Sequence, residues 1–230
     1  MDVGVRAHRV MVVMLPHAGY PRAMRLLITG FEPFGGSHVN PSERAARALK
    51  ASPPSGVDAV IEILPCVDRA CERALLGAVR RTSPDAVLAL GEHGRESGLA
   101  FERFALNLRD YRIADNEGNT VAHEPVITGA PAGCFTAMPV DAMARASRDA
   151  GVPARVSRDA GTFLCNQAYY ALLHARETRA ITCPSVFVHV PRLPEQVACA
   201  DRPHPSMSTE TVVRGLVAAI GVLTARSAGA

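Results

Sequence analysis

No apolar run in this 230-residue chain approaches the ~18 to 20 residues that a helix needs to cross a bilayer, so no membrane span is expected. Clustered charge of one sign is also missing. The formal balance is only +3, the basic residues are scattered, and no electrostatic footprint for nucleic acid stands out. Arg80-Arg81 reads as a solvated helix end. The six cysteines, Cys66, Cys71, Cys134, Cys165, Cys183 and Cys199, form no CxxC pair and accompany no histidine spacing of the zinc kind, so no metal site is expected. A chain of this length holds a core that needs no disulfides, which points to reduced thiols and a cytoplasmic setting. What remains is ordinary globular composition, with 48% apolar and 20% charged residues, arguing against disorder or a fibrous repeat.

The first 23 residues stand apart. Arg6, His8 and Arg9 followed by Val10 to Leu15 mimic a signal peptide, but the apolar part is short and broken by Pro16. Met24 directly precedes a strong strand. Residues 1–23 are therefore read as a disordered extension or a misassigned start, and residues 24–230 as a single domain.

Leu26 to Gly30 is a short apolar run ending in glycine, which suits a buried parallel strand. The loop Phe31 to Gly36 sets two aromatics among turn formers, and Asn40 reads as an N-cap, with Pro41 at the first helical position and Glu43 placed for a capping box. Val57 to Leu64 is a strand, Asp68 caps a helix to about Arg81, and Ala86 to Gly91 is again a strand. Leu99 to Leu108 reads as extended, and Asp110 to Pro131 as mostly loop with a turn at Asn116-Glu117-Gly118. Val140 to Ala150 is helical with Gly151 as its stop. Ala154 to Val156 is a strand, Asn166 to about Arg176 a helix, and Ser185 to Val190 a strand. A last helix places Val213, Leu216, Val217 and Ile220 on one face. Strands alternating with helices imply a three-layer α/β/α sandwich around a mostly parallel twisted sheet. Ligands gather beyond the carboxyl ends of such strands, where the Phe31 loop, the Gly91 loop, Cys165 and His189 all fall. The pentapeptide Ser-Arg-Asp-Ala-Gly occurs at 147–151 and again at 157–161, with nothing around it repeated.

Cys165 is delivered by the small residues Ala160-Gly161-Thr162 to the first turn of a helix. Backbone N–H groups and the positive end of the helix dipole favour a thiolate there, and the same groups can hold an oxyanion. A free cysteine alone is more often a buried apolar filler than a nucleophile. His189 at a strand end, stopped by Pro191, is either a satisfied core residue or a base suited to proton exchange near neutral pH. Glu102 lies in the otherwise apolar run Leu99 to Leu106; it is either a surface ion pair with Arg103 or a carboxylate that orients the imidazole.

These residues carry a resemblance. Gly30-Phe31-Glu32-Pro33-Phe34-Gly35-Gly36 with Asn40-Pro41-Ser42, Gly91 and Gly94 followed by Glu102-Arg103-Phe104-Ala105-Leu106-Asn107, Arg112 to Asn116 with Gly118, Ala160 to Asn166, and His189-Val190-Pro191 with Pro194-Glu195-Gln196 resemble the pyroglutamyl peptidase I family of cysteine peptidases. The blocks follow family order from Met24 to about Gln196. The resemblance implies a Cys165, His189, Glu102 triad and a cofactor-free exopeptidase that hydrolyses the amide bond after an N-terminal pyroglutamyl residue of peptides through a thioester acyl-enzyme. It also implies a homo-oligomer, either dimer or tetramer. Arg112 stands at the family's arginine position, assisting at the oxyanion. Phe31 and Phe34 match aromatics that pack on the lactam ring, and Asn40 joins them among the substrate-binding residues. Phe31 reads equally well as core packing beneath its loop.

Several positions depart from the family pattern. Glu92-His93 replaces Gln-Ala, Ala100 stands where a hydroxyl residue is common, Ala114 replaces a proline, and Asp159 sits where a small residue is usual. Asp159 would set a negative charge near Cys165 and oppose the thiolate, and Glu92 would disturb the lactam pocket. Two alternatives follow: a cysteine amidase for another small neutral acyl amide, and a catalytically silent pyroglutamyl-binding homologue.

Overall fold

A computed structural model describes residues 22–227, so the proposed extension lies outside the described residues except for Arg22 and Ala23. Among the described residues the sheet has seven strands: β1 (Met24–Phe31), β2 (Val57–Leu64), β3 (Ala86–Glu92), β4 (Leu99–Leu106), β5 (Gly133–Phe135), β6 (Ala154–Asp159) and β7 (Ser185–Val190). Their order is β2-β1-β3-β7-β4, with β5 continuing beyond β7 along one edge of β4 and β6 on its other edge. The first three pairings and β4 with β6 are parallel, whereas β4 runs antiparallel to both β7 and β5. The sheet is thus mostly parallel, and its one reversal lies beside β7.

Alternation along the strands splits the core into two layers. Leu26 and Ile28 of β1 and Val186, Val188 and Val190 of β7 pack beneath α1 (Pro41–Ala51), α3 (Val140–Asp149) and α6 (Thr209–Ser227). Leu27 and Phe31, Val87 and Ala89, and Phe187 face the other way, against α2 (Ala70–Thr82) and α4 (Leu164–Glu177). The result is an α/β/α sandwich. The large side chains Tyr169 and Tyr170 of α4 are fully buried, and each satisfies its hydroxyl on a main-chain carbonyl, of Glu102 at 2.9 Å and of Pro131 at 2.6 Å. Burying the rings costs no unpaired polar group.

Several local expectations need correction. Asp68 does not cap α2, whose N-cap is Arg69 in a left-handed conformation. Its carboxylate accepts instead from Arg109 Nη1, at 2.8 Å to each oxygen, and from the Tyr111 hydroxyl at 2.8 Å. A buried guanidinium requires such a partner, and that demand outweighs the cap. Asn40 does cap α1, its Oδ1 accepting from Ser42 N at 3.0 Å, but Glu43 pairs with Arg47 rather than closing a capping box. On α6 the buried stripe is Val212, Leu216, Ala219, Ile220 and Leu223, while Val217 is exposed. The short α5 (Pro194–Val197) and β5 were not expected. β6 runs on to Asp159, past its expected end at Val156, so the segment before the cysteine begins as strand. Among the described residues no helix is long and apolar enough to cross a membrane.

Candidate active site

Helix α4 begins at Leu164, which makes Cys165 its second residue. Phe163 precedes it in an extended conformation and supplies no side-chain cap. The first N–H groups of the helix, that of Cys165 included, have no intrahelical acceptor and remain available for a bound oxygen. Asn166 fixes this turn: its Oδ1 accepts from Leu106 N at 2.8 Å, and its Nδ2 donates to Leu106 O and Leu108 O, each at 2.9 Å. Thr162 Oγ1 donates to Asp110 O at 2.8 Å, and Asp110 N donates to Thr162 O at 3.0 Å. The thiol therefore sits on a turn tied to the end of β4 and the loop that follows it. Asn166 was legible only as a helix residue; a buried amide at a helix start has this tethering as its reason.

The reversal of β4 brings the other two groups together. Ala100 lies opposite His189 and Glu102 opposite Phe187, so Glu102 is the diagonal neighbour of His189 on the same sheet face. His189 Nδ1 and Glu102 Oε1 are 2.8 Å apart, with side chains only 4% and 2% exposed. Of the two readings of Glu102, the surface pair with Arg103 does not form: Arg103 Nη2 donates to both Asp141 oxygens at 2.8 Å. Burial pulls the His189 proton affinity down, but the charge and hydrogen bond of Cys165, followed by those of Glu102, outweigh it and raise the imidazole to about 10. The arrangement thus favours an imidazolium beside the thiol, its Nδ1 resting on the Glu102 carboxylate.

Gly91, the register neighbour of His189 on β3, makes room for this pair. A Cβ there would stand 2.8 Å from Cys165 Sγ and 2.7 Å from the Phe187 ring, closer than real contacts allow. We expect Gly91→Ala to push the thiol off its line, lowering kcat/KM about 100-fold, since a displacement near 1 Å has that order of effect. Overpacking should also cost about 1 to 3 kcal/mol of stability, read from denaturant melts. Unchanged activity and stability would show that the site tolerates the methyl group.

Cys165 and His189 open on a cavity of about 880 Å³. Phe31, Phe34, Asn40 and Arg112 all border it, but differently. Phe31 is only 2% exposed and belongs to the core. Phe34 is half-buried and leans on Phe163, with centroids 6.3 Å apart. Asn40 spends its amide within the chain, its Nδ2 donating to Glu32 O at 2.9 Å, so it shapes the loop. Arg112 is exposed on the cavity wall. Glu92 also lines the cavity, yet its carboxylate accepts from Arg192 Nε at 3.2 Å and Gln196 Nε2 at 3.0 Å. Arg192 and Gln196 are wall residues whose role was not foreseen; an acid at the cavity needs neutralising partners. Asp159 is not among the lining residues, and its Oδ1 accepts from Gly161 N at 3.0 Å. Its charge serves the turn before the thiol instead of facing it. Among the described residues, no group of three or more His, Cys, Asp or Glu is placed to hold a metal ion.

An α/β/α sandwich with a helix-borne cysteine, a buried histidine near the end of β7 and a buried carboxylate within β4 has the architecture of a cysteine hydrolase. Residues 24–226 match the family model of the pyroglutamyl peptidases. The chain is 45% identical over 192 residues to a pyrrolidone-carboxylate peptidase of Streptomyces coelicolor, covering 84% of this chain and 88% of the relative. It is 44% identical over 195 residues to the protein of that name from Escherichia fergusonii, covering 85% and 90%. Among solved structures, pyroglutamyl peptidase I of Bacillus amyloliquefaciens superposes with a TM-score of 0.81 at 34% identity, covering 85% of this chain and 94% of that one. Pyrrolidone carboxyl peptidase of Pyrococcus furiosus superposes at 0.84 with 34% identity, covering 88% and 99%. The chain belongs to the pyroglutamyl peptidase family, and its activity is that of a cysteine-type exopeptidase.

Proposed function

We propose that the chain removes N-terminal pyroglutamate from peptides through a thioester formed at Cys165. The observation that carries this reading is the convergence of an uncapped helix start, the thiol and the His189–Glu102 pair on one cavity. The Cys165 thiolate attacks the pyroglutamyl carbonyl carbon, and the oxyanion is held by the Cys165 N–H with Arg112 assisting. His189 gives its proton to the departing amine as the C–N bond breaks and the thioester forms. Water, deprotonated by His189, then attacks the thioester; the C–S bond breaks and pyroglutamate leaves.

A lactam carries no ammonium group, so recognition falls to flat contacts and neutral hydrogen bonds. Phe34, more open than Phe31, offers the ring face, and the cavity is large enough for residues beyond the lactam. The six cysteines are free thiols, which agrees with a reducing, cytoplasmic setting. The test is release of a fluorogenic amine from a pyroglutamyl amide, compared with prolyl and alanyl amides. We expect turnover of the first and little of the other two. Equal turnover of all three would replace this reading with a broader amidase, and none at all by folded protein would defeat it.

A further inference from the structure

We propose that His93 is a positioning residue that extends the peptidase activity to lower pH: once protonated, its ring sets a second positive charge edge-on to His189. The inference rests on the reading of Cys165, His189 and Glu102 as the catalytic set.

His93 directly follows β3, and its backbone N–H donates to Val190 O at 3.0 Å, which fixes it beside the end of β7. Its ring meets the His189 ring edge-on, with centroids 5.2 Å apart at 66°. Phe187 makes a similar contact at 5.0 Å and 60°. The catalytic imidazole is therefore flanked by one inert ring and one that titrates. His93 borders the cavity and its side chain is 45% exposed, so protons reach it freely. The charged groups acting on it are His189 from β7, Glu96 and Arg95 from its own loop, and Arg155 from β6. Glu96 stands 4.0 Å away, but its carboxylate is engaged by Arg155. Burial, then the charge of His189, hold His93 below the ordinary imidazole value; Glu96 opposes this, and Arg155 and Arg95 add to it. His93 is thus uncharged near neutral pH and titrates on the acid side.

Two steps of the reaction feel that charge in the same direction. In the resting enzyme, a cationic His93 at the cavity wall opposes protonation of the thiolate. After acylation the thioester is neutral, and His189 must be free of its proton to accept one from water. A cation at about 5 Å makes protonation of His189 harder and keeps the base available. Both effects carry activity further into the acid range.

The experiment compares pH profiles of kcat/KM and kcat for the wild type, His93→Gln and His93→Ala on a pyroglutamyl fluorogenic amide. Whatever the plateau, the acid limb of the variants should move up by about half a pH unit, the order expected of a screened like charge at this distance. A second measurement needs no turnover and reads the same coupling from its other partner: with Cys165 capped by iodoacetamide, the His93 proton resonances should titrate at higher pH in His189→Gln than in the wild type. An acid limb and a titration that stay within about 0.2 units, the precision of such titrations, or move down, overturn the proposal. A lowered plateau with an unmoved limb also overturns it, leaving His93 a packing residue. If the wild type hydrolyses nothing at any pH, the peptidase reading fails while the capped-enzyme titration still decides the role of His93.

Discussion

Cys165→Ala should lower kcat/KM on pyroglutamyl amides by at least about 10⁴-fold, because the acyl-enzyme has no other atom on which to form. The substitution removes one half-buried sulfur beside Gly91 and Phe187, so the fold should survive, and melts of the variant should match the wild type closely. The remaining thiols give the site no substitute. Cys66, Cys71, Cys134 and Cys183 are buried, and burial is the first cause pushing each of them up. For Cys134, burial and the Glu177 carboxylate together reach about 12. Cys199 is exposed but does not border the cavity. Iodoacetamide below pH 8 should therefore label Cys165 first, in step with loss of activity. Undiminished turnover by Cys165→Ala, or inactivation that follows another cysteine, would remove the thiol from the mechanism.

Much of this site could be read along the chain, and what could not has a physical reason. The glycine-bounded apolar strands and the small residues before Cys165 are local signals, so the three layers and the position of the thiol emerged from pattern alone. The direction of β4 did not. Its run Leu99 to Leu106 looks like any buried strand, yet only an antiparallel β4 sets Glu102 diagonal to His189. Pairing direction depends on which distant edge is free, and no local window records that. The repeated Ser-Arg-Asp-Ala-Gly makes the same point. Ser147 to Asp149 close helix α3, while Ser157 to Asp159 end strand β6. Identical residues take the conformation that their neighbours bury, Ser147 against Met143 O and Gly215 O and Ser157 in register with Glu102. Local propensity is the weaker term at both places. Asp159 escaped for a related reason: a charge in sequence has no address until its hydrogen-bond partners are known.

Glu102→Gln isolates what the carboxylate charge does for His189. Glutamine can still accept from the Nδ1–H, so the ring keeps its orientation. Its amide nitrogen, however, would fall where Oε2 now lies buried without a partner, adding an unsatisfied donor that costs about 1 to 3 kcal/mol. The larger loss is electrostatic. The folded-state value of His189 is raised to about 10, against burial, by Cys165 first and Glu102 next. A raised value means that the imidazolium and its pairing stabilise the fold fully below the unfolded histidine value near 6.5, and that this support fades as pH rises through about 10. Without the carboxylate charge the cation is less favoured, so the upper limit of activity should fall towards neutral pH. We expect kcat/KM at pH 7.5 to drop about 10² to 10³-fold, within the range attributed to a positioned proton-transfer group. The basic limb should move down, and the stability difference between pH 7 and pH 10.5 should shrink. Alkylation of Cys165 should lose its reactivity at the same lowered pH. Glu102→Gln activity within about threefold of wild type across the whole range, set against the 100-fold or greater loss expected of such a group, would mean that the His189–Cys165 pair holds its proton without help from the carboxylate.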